Sequence, residues 1–530
     1  MPKITIDDIE VEVEEGLNII QAASRIGIEI PHFCYHPSLS IVAQCRQCLV
    51  EVEGVPKVLP ACNTFVREDL VVRTDSEKAL KAREATVEFT LINHPLDCPI
   101  CDKGGECPLQ LTTFDHGPGY SRVSGPEGKK VRQKYYLSDR ILYDPNRCIM
   151  CTRCIRFTDE VTQTSELGTS GRGFRKKIAI FPGKELNNDL AGNVIDLCPV
   201  GALLDKDTLH EERVWYYEFT DSVCSLCSNG CNITVGVDPR KGKVSRVRPR
   251  VNPEVNDFWI CDRGRYGFKK VQEENRLRDP IIKNSSGYEI TTWETAVDMF
   301  HGKVNSMGEL SHKNIAFILS PLLTNEELYL ATRLFEAANA DYIASGIGFV
   351  SGPKKFGLVS SDPYPNSQGV RDLDIPVNLE EIIRLIIDKK IDGLFLIGED
   401  ILSSVEEPDH SNLKDALTNM EFLAVLDSRL SQSAHFAHLI FPGATAYEKD
   451  GTFTNDEGRV QKVKCSIQPP GNAMADWEVL SLIGKRFNES AFAYNHPKEI
   501  MKEIAGLKQH YRGISYERLG VLGLTAQPDN

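Results

Sequence analysis

The sequence predicts an α/β multidomain protein, cysteine-rich in front and built on a parallel α/β sheet behind. Three observations carry this. The chain has 530 residues, which at roughly 100–200 residues per domain gives about three to five domains. Fifteen of its 16 cysteines lie in the first 261 residues, and only Cys465 lies later. Beyond about residue 274 short apolar runs alternate with amphipathic stretches, the pattern of parallel strands joined by helices.

Ile4–Ile6 and Ile9–Val13 alternate with period two around Asp7-Asp8, predicting a hairpin. Asn18 is placed to cap a short helix, Ile19–Arg25, that Gly27 ends. Ile30 to Cys62 lacks helical periodicity and holds four cysteines, so strand pair, helix and cysteine loop together predict a small β-grasp domain. Glu77 to Asn93 predicts a helix with Leu80, Val87 and Leu91 on one stripe and His94-Pro95 as its stop. Residues 117–134, with Gly117-Pro118-Gly119, Gly125-Pro126 and Lys129-Lys130-Val131-Arg132, read as a linker. In the rear half Asn314–Ser320, Leu394–Ile397 and Phe422–Leu426 are buried-strand candidates. Asn325–Asn339 carries Leu328, Ala331, Leu334, Phe335 and Ala338 at helical spacing.

The formal charge of -14 (61 basic, 75 acidic residues) argues against nucleic-acid binding and leaves open docking onto a basic partner. Met1-Pro2-Lys3-Ile4-Thr5 enters a strand pattern at once, without a signal-like apolar region. Apolar runs such as Ile315–Leu319 fall short of the ~18–20 residues that span a bilayer. The expectation is a cytosolic chain with reduced thiols, whose clustered cysteines hold metal rather than disulfides.

Four ligand sets can be read off. Cys34, Cys45, Cys48 and Cys62 put four thiolates on one loop, enough for two irons with two ligands each; the C-x2-C pair is shared with zinc sites. His94, Cys98, Cys101 and Cys107 suit zinc and iron–sulfur about equally, and Gly104-Gly105 allows a bulky cofactor to approach closely. Cys148, Cys151, Cys154 and Cys198 combine a tight three-thiolate run with a distant Cys-Pro, which fits one [4Fe–4S] cubane. Cys224, Cys227, Cys231 and Cys261 also fit a cubane, with zinc as the alternative. Between these last ligands, Arg240 to Arg250 alternates Val with Arg, which reads as a solvated hairpin. Four one-electron centres in one chain form a wire. Glu448, Asp450 and Glu457 with His435 and His438 can be imagined as an acid–base site, but charged loop residues are mostly solvated.

Asn93–Gln110 (NHPLDCPICDKGGECPLQ), Arg147–Arg156 (RCIMCTRCIR) and Gly192–Leu203 (GNVIDLCPVGAL) resemble the large iron–sulfur subunit of respiratory complex I, the G subunit of NADH–quinone oxidoreductase. The order of all four sets matches over residues 1–270. Cys224 to Tyr266 resembles the iron–sulfur domain of molybdopterin oxidoreductases, and Ala437–Gln461 is similar to that superfamily's cofactor domain.

The resemblance implies five parts: a [2Fe–2S] ferredoxin-type domain at 1–78, a His(Cys)3-ligated domain at 79–118, and a ferredoxin-like [4Fe–4S] domain at 139–216. A molybdopterin-type [4Fe–4S] domain at 217–273 and a shortened molybdopterin-oxidoreductase-like α/β domain at 274–530 follow. It implies [2Fe–2S] on Cys34, Cys45, Cys48 and Cys62, and [4Fe–4S] on each of the other three sets, the fourth lying off the main path. Electrons from NADH would arrive through a flavin in a partner subunit and leave through further iron–sulfur subunits of the peripheral arm towards quinone, coupled in the complex to proton translocation. Neither catalytic residues nor molybdopterin are expected in this chain, and its place is the inner face of the bacterial membrane, attached through the complex. A large subunit of an NAD-linked formate dehydrogenase or hydrogenase shares the front half. Those enzymes need a full molybdopterin body with an active-site Cys, or several more cysteines after residue 265. Cys465 alone serves neither, and its expected role is packing.

Overall fold

A computed structural model describes residues 1–122, 129, 131–273, 275–285, 287–308, 314–346 and 352–525, with the side chain of Phe174 left out. The middle of the expected linker, at 123–128 and 130, lies outside the described residues. The chain divides into two compact units, 1–217 and 218–530.

The front unit opens with the expected hairpin, Lys3–Ile6 against Ile9–Glu12. Lys3–Ile6 also pairs in parallel with Leu70–Arg73, which pairs antiparallel with Leu49–Val52. Helix Ile19–Arg25 starts at Asn18, whose side chain and that of Gln21 each accept the other's backbone N–H. Its buried Ile19, Ile20, Ala22 and Ala23 pack on Ile4, Ile6, Val50 and Val72, and Cys48 and Cys62 sit in that same core.

Helix Glu77–Asn93 has the expected bounds but not the expected face. Ala79, Arg83 and Val87 are buried and Leu80 is exposed. The Arg83 guanidinium donates to the carbonyls of Gln47, Leu49 and Thr74, which end or flank neighbouring strands and need donors. Further along, Leu203–Asp205, Ile141–Tyr143 and Tyr135–Tyr136 form a small antiparallel sheet. Short helices Arg153–Arg156 and Asn193–Leu197 lie beside the cysteine loops.

The rear unit opens with the antiparallel strands Glu218–Val223, Asn232–Asp238 and Lys243–Pro249. The Arg-rich hairpin is therefore present, but Val244 and Val247 are buried on one face. Behind it stands a seven-stranded sheet. Tyr342–Ser345, Ile315–Leu319, Gly393–Ile397, Phe422–Asp427 and Leu439–Pro442 are parallel in that spatial order. Ile281–Asn284 and Gly287–Ile290 then add antiparallel at one edge, so the sheet is mixed rather than wholly parallel. Phe317, Phe395 and Leu426 face one core with helices Trp293–Gly308, Asn325–Ala337 and Asp476–Phe487, whereas Ile318, Leu396 and Val425 face the other with Leu379–Ile387. Burial on both faces explains why these strands read as unbroken apolar runs.

Candidate metal centres

Three of the four donor sets belong to the front unit. In the first, Cys34, Cys48 and Cys62 are buried and Cys45 is partly exposed. Cys34 shares a thiol hydrogen bond with Cys45, and Cys48 with Cys62. The partnership lowers Cys45 to about 5 and pushes Cys34 up; Cys62 is likewise lowered by Cys48. The backbone N–H groups of Phe33 and Cys34 each donate to Cys45 Sγ at 3.4 Å. Ala43 and Arg46, on either side of Cys45, have φ of 49° and 57°. Left-handed residues fold a loop so that successive N–H groups turn inward, a cradle for negative charge.

In the second set Cys101 and Cys107 are buried and Cys98 is exposed. Burial pushes the Cys101 and Cys107 thiols up and lowers the His94 imidazole to about 4. A neutral ring is what a metal needs. His94 Nδ1 is buried without a hydrogen-bond partner. Gly105 has φ of 92°, and a side chain there would press on Trp215. At Gly201, beside the third set, a methyl would collide with Cys101 Sγ.

Cys148, Cys151, Cys154 and Cys198 line one cavity with Tyr143, Ile178, Val200 and Ala202. Met150 and Thr152, between the first three cysteines, have φ of 57° and 62°. Met150 N–H donates to Cys148 Sγ at 3.4 Å. Burial raises Cys151 to about 12 and also pushes Cys154 well up. Thiols so disfavoured as free thiolates become comfortable when a metal replaces their protons.

In the rear unit all four cysteines of the fourth set are buried. Cys261 Sγ accepts from Gly264 N–H at 3.3 Å and Cys231 Sγ from Asn229 Nδ2 at 3.2 Å. A Cβ at Gly264 would stand 3.2 Å from Cys224 Sγ, so glycine keeps room beside that sulfur. Burial pushes Cys224, Cys231 and Cys261 up. Among the described residues, no three His, Cys, Asp or Glu side chains converge on a single-ion position.

The imagined acid–base group does not assemble. Glu448 forms a buried bidentate pair with Arg276 at 2.6–2.7 Å, Glu457 pairs with Lys354 at 3.0 Å, and Asp450 accepts from Cys465 N–H at 3.1 Å. His438 Nδ1 accepts the Leu423 N–H at 3.0 Å. Cys465 Sγ lies 3.2 Å from the Ile467 carbonyl, and burial raises its thiol to about 11.

Sequence reasoning missed the arginines beside the cysteines. Arg147 is buried and holds Asp97 Oδ2 at 2.7 Å. Arg153 and Arg156 reach into the loop of the first set. The signal is present, since each arginine lies within two residues of a cysteine.

Cysteine-lined loops ahead of a helix-flanked sheet define an iron–sulfur oxidoreductase chain. Family models match in that order. A 2Fe-2S iron-sulfur cluster binding domain covers 2–77, the NADH-ubiquinone oxidoreductase-G iron-sulfur binding region 83–122, and the ferredoxin-like domain of NADH-quinone oxidoreductase subunit 3 covers 138–204. The molybdopterin oxidoreductase Fe4S4 domain follows at 217–273 and molybdopterin oxidoreductase at 366–486. The mitochondrial NADH-ubiquinone oxidoreductase 78 kDa subunit of Candida albicans is 31% identical over 92% of this chain and 82% of its own length. A G-type NADH-quinone oxidoreductase subunit of Rhizobium meliloti is 40% identical over 63% of this chain and 39% of its own, and the 75 kDa subunit of Reclinomonas americana 39% identical over 65% and 49%. The chain thus spans less than half the length of these last two. A chain of an NAD+-reducing [NiFe]-hydrogenase aligns at 27% identity and a TM-score of 0.37, covering 40% of this chain and 91% of its own. The chain belongs to the family of the NADH–quinone oxidoreductase G (75–78 kDa) subunits.

The match to molybdopterin oxidoreductases raises the question of a molybdenum–pterin group. A cavity of about 550 Å³ opens at the carboxyl ends of the parallel strands, beside Ser225 and Leu226 of the fourth cysteine loop. Its wall carries Glu399, Asp400, Asp427 and Asp476 together with Lys270, Arg429 and Lys449. Burial raises Glu399 to about 7 and Asp427 to about 6. Lys449 is already held by Glu327 at 2.7 Å and Asp476 at 2.5 Å. Cys465 is not on this wall. With four carboxyl groups against three cations, this wall lacks the positive surplus that an anionic pterin phosphate calls for.

Proposed function

We propose that this chain is the electron-carrying iron–sulfur subunit of NADH–quinone oxidoreductase, relaying electrons from NADH, by way of a flavin in a partner subunit, towards quinone. The carrying observation is that three donor sets sit on loops of one compact unit, each with buried sulfurs or an unpartnered ring nitrogen facing inward. In this reading Cys34, Cys45, Cys48 and Cys62 hold [2Fe–2S]. His94, Cys98, Cys101 and Cys107 hold one [4Fe–4S], Cys148, Cys151, Cys154 and Cys198 a second, and Cys224, Cys227, Cys231 and Cys261 a third. When bound, each cluster takes and gives one electron. The protein's part is to place thiolates, turn backbone N–H groups inward and exclude water. The pairing of Cys34 with Cys45 and of Cys48 with Cys62 suits two irons with two ligands each.

The domains follow at 1–78, 79–118, 139–216, 217–273 and 274–530, the last a scaffold without molybdopterin. Phe89, Leu96, Ile100, Leu111 and Phe114 are exposed around the second set. So much apolar surface favours docking against the flavin-bearing partner and further iron–sulfur subunits. No helix among the described residues is long and apolar enough to cross a membrane, and the proposed place is peripheral, at the inner face of a bacterial membrane, through the complex. In that complex, electron flow is coupled to proton translocation. Anaerobic metal and sulfide analysis tests the reading. It expects about 14 irons and as many acid-labile sulfides per chain; about four zincs, or molybdenum near one per chain, would overturn it.

A further inference from the structure

We propose that Arg153 and Arg156 form a cationic bridge between the first and third cluster sites, and that their charge sets how readily both clusters take an electron. This rests on the cluster reading above. Arg156 Nη2 donates to the Cys34 carbonyl at 2.5 Å and to the Cys151 carbonyl at 3.3 Å, and its Nη1 donates to the Ser40 carbonyl. Arg153 Nη1 donates to the Leu197 carbonyl, beside Cys198, at 3.3 Å, and its Nη2 to the Tyr35 carbonyl. Each guanidinium therefore bonds carbonyls in the loops of both sets: Arg153 with one arm in each, Arg156 with Nη2 shared between them and Nη1 in the first. Gln44 Nε2 on the Met150 carbonyl, and Glu160 on Ser40 at 2.5–2.7 Å, tie the same two loops together.

All these arginine acceptors are neutral carbonyls. Arg153 faces the sulfurs of Cys151, Cys198, Cys34 and Cys45, which carry negative charge once a cluster replaces their protons. The Nε–H groups of both arginines are buried without a partner. A half-buried cation such as Arg153 gains from a counter-charge beside it, and an unmatched buried N–H adds to that need. Thiolate-ligated clusters supply both the negative charge and sulfur acceptors. Each electron added to either cluster increases its negative charge, so two fixed guanidiniums between them favour the reduced forms of both. Hydrogen bonds and charge around the sulfurs are the general means by which proteins tune such potentials.

The test is an EPR-monitored redox titration of the full chain with its clusters, comparing Arg153→Gln and Arg156→Gln with Arg153→Lys and Arg156→Lys. The Gln variants should lower the reduced-to-oxidised ratio of the first and third clusters at least tenfold at fixed potential, which is 59 mV for one electron. The midpoints of the other two clusters are recorded in the same titration. Lysine retains charge but lacks the two-armed fork, so its variants should recover most of the shift. Unmoved midpoints in Gln variants whose cluster signals persist would overturn the bridge while leaving the cluster reading intact. If both Gln variants lose their signals, Arg153→Lys decides: a tenfold loss there, with charge retained, refutes charge as the agent. Absence of cluster signals from the unaltered chain would instead defeat the cluster reading itself.

Discussion

Glu326 is fully buried in the first turn of helix Asn325–Ala337, and burial raises its carboxyl to about 7. Its oxygens accept from Thr452 N–H at 2.8 Å and Tyr516 OH at 2.9 Å, which favours the ion without offsetting the desolvation. The folded chain therefore holds a proton that the unfolded chain, near the ordinary value of 4.5, has released. Below pH 4.5 the penalty is absent; it grows as pH rises to 7 and is complete above, at about 3 kcal/mol. Glu326→Gln should flatten the fall in stability between about pH 5 and 7, measured by denaturant unfolding of the rear unit. An unchanged slope would show that another carboxyl governs that window. Such groups were not legible beforehand. Glu326 sits in a capping sequence where acids are ordinary, and only the fold shows that the strand Gly451–Thr454 covers it. Arg83, Arg153 and Arg156 were hidden for the same reason, since a sequence shows a charge but not the carbonyls waiting for it.

At the scale of elements, periodicity located what repeats. The bounds of Glu77–Asn93 and Ile19–Arg25 follow from caps and proline, and the rear strands from apolar runs of five or six residues. The edge strands Ile281–Asn284 and Gly287–Ile290 did not stand out. Gly287–Ile290 is exposed along its length, so it has no buried face to leave a pattern. The cysteine spacings suggest four ligand sets but carry no sign of the left-handed turns at Ala43, Arg46, Met150 and Thr152, because those conformations are imposed on ordinary residues by tertiary context. Glycine is more telling at Gly201. Its φ is not in the left-handed region, so what a methyl would violate is space beside Cys101 Sγ. On the proposed cluster assignment, Gly201→Ala should therefore cost the second cluster, about four irons per chain, and spare the rest. Full iron content with an unaltered EPR spectrum would show that the turn simply shifts.

For the whole molecule, the division into 1–217 and 218–530 separates three donor sets from the fourth. On the proposed function the path runs within the front unit, and the third set is where a single change can cut it cleanly. Cys198 caps helix Asn193–Leu197, far in sequence from the run Cys148–Cys154. Its N–H donates to the Val194 carbonyl at 3.2 Å, a bond that alanine retains. Cys198→Ala thus removes one sulfur from the cavity without removing the helix end that carries it. In membranes carrying the assembled complex, quinone reduction should fall at least tenfold and iron by about four atoms. NADH oxidation by soluble acceptors that draw electrons at the partner's flavin should persist, because that step precedes this chain. Losing both activities together would point to failed assembly, which subunit content in the purified complex checks directly. Undiminished quinone reduction with the iron gone would remove the third set from the path. The conducting role would then have to bypass the loops that Arg153 and Arg156 hold together.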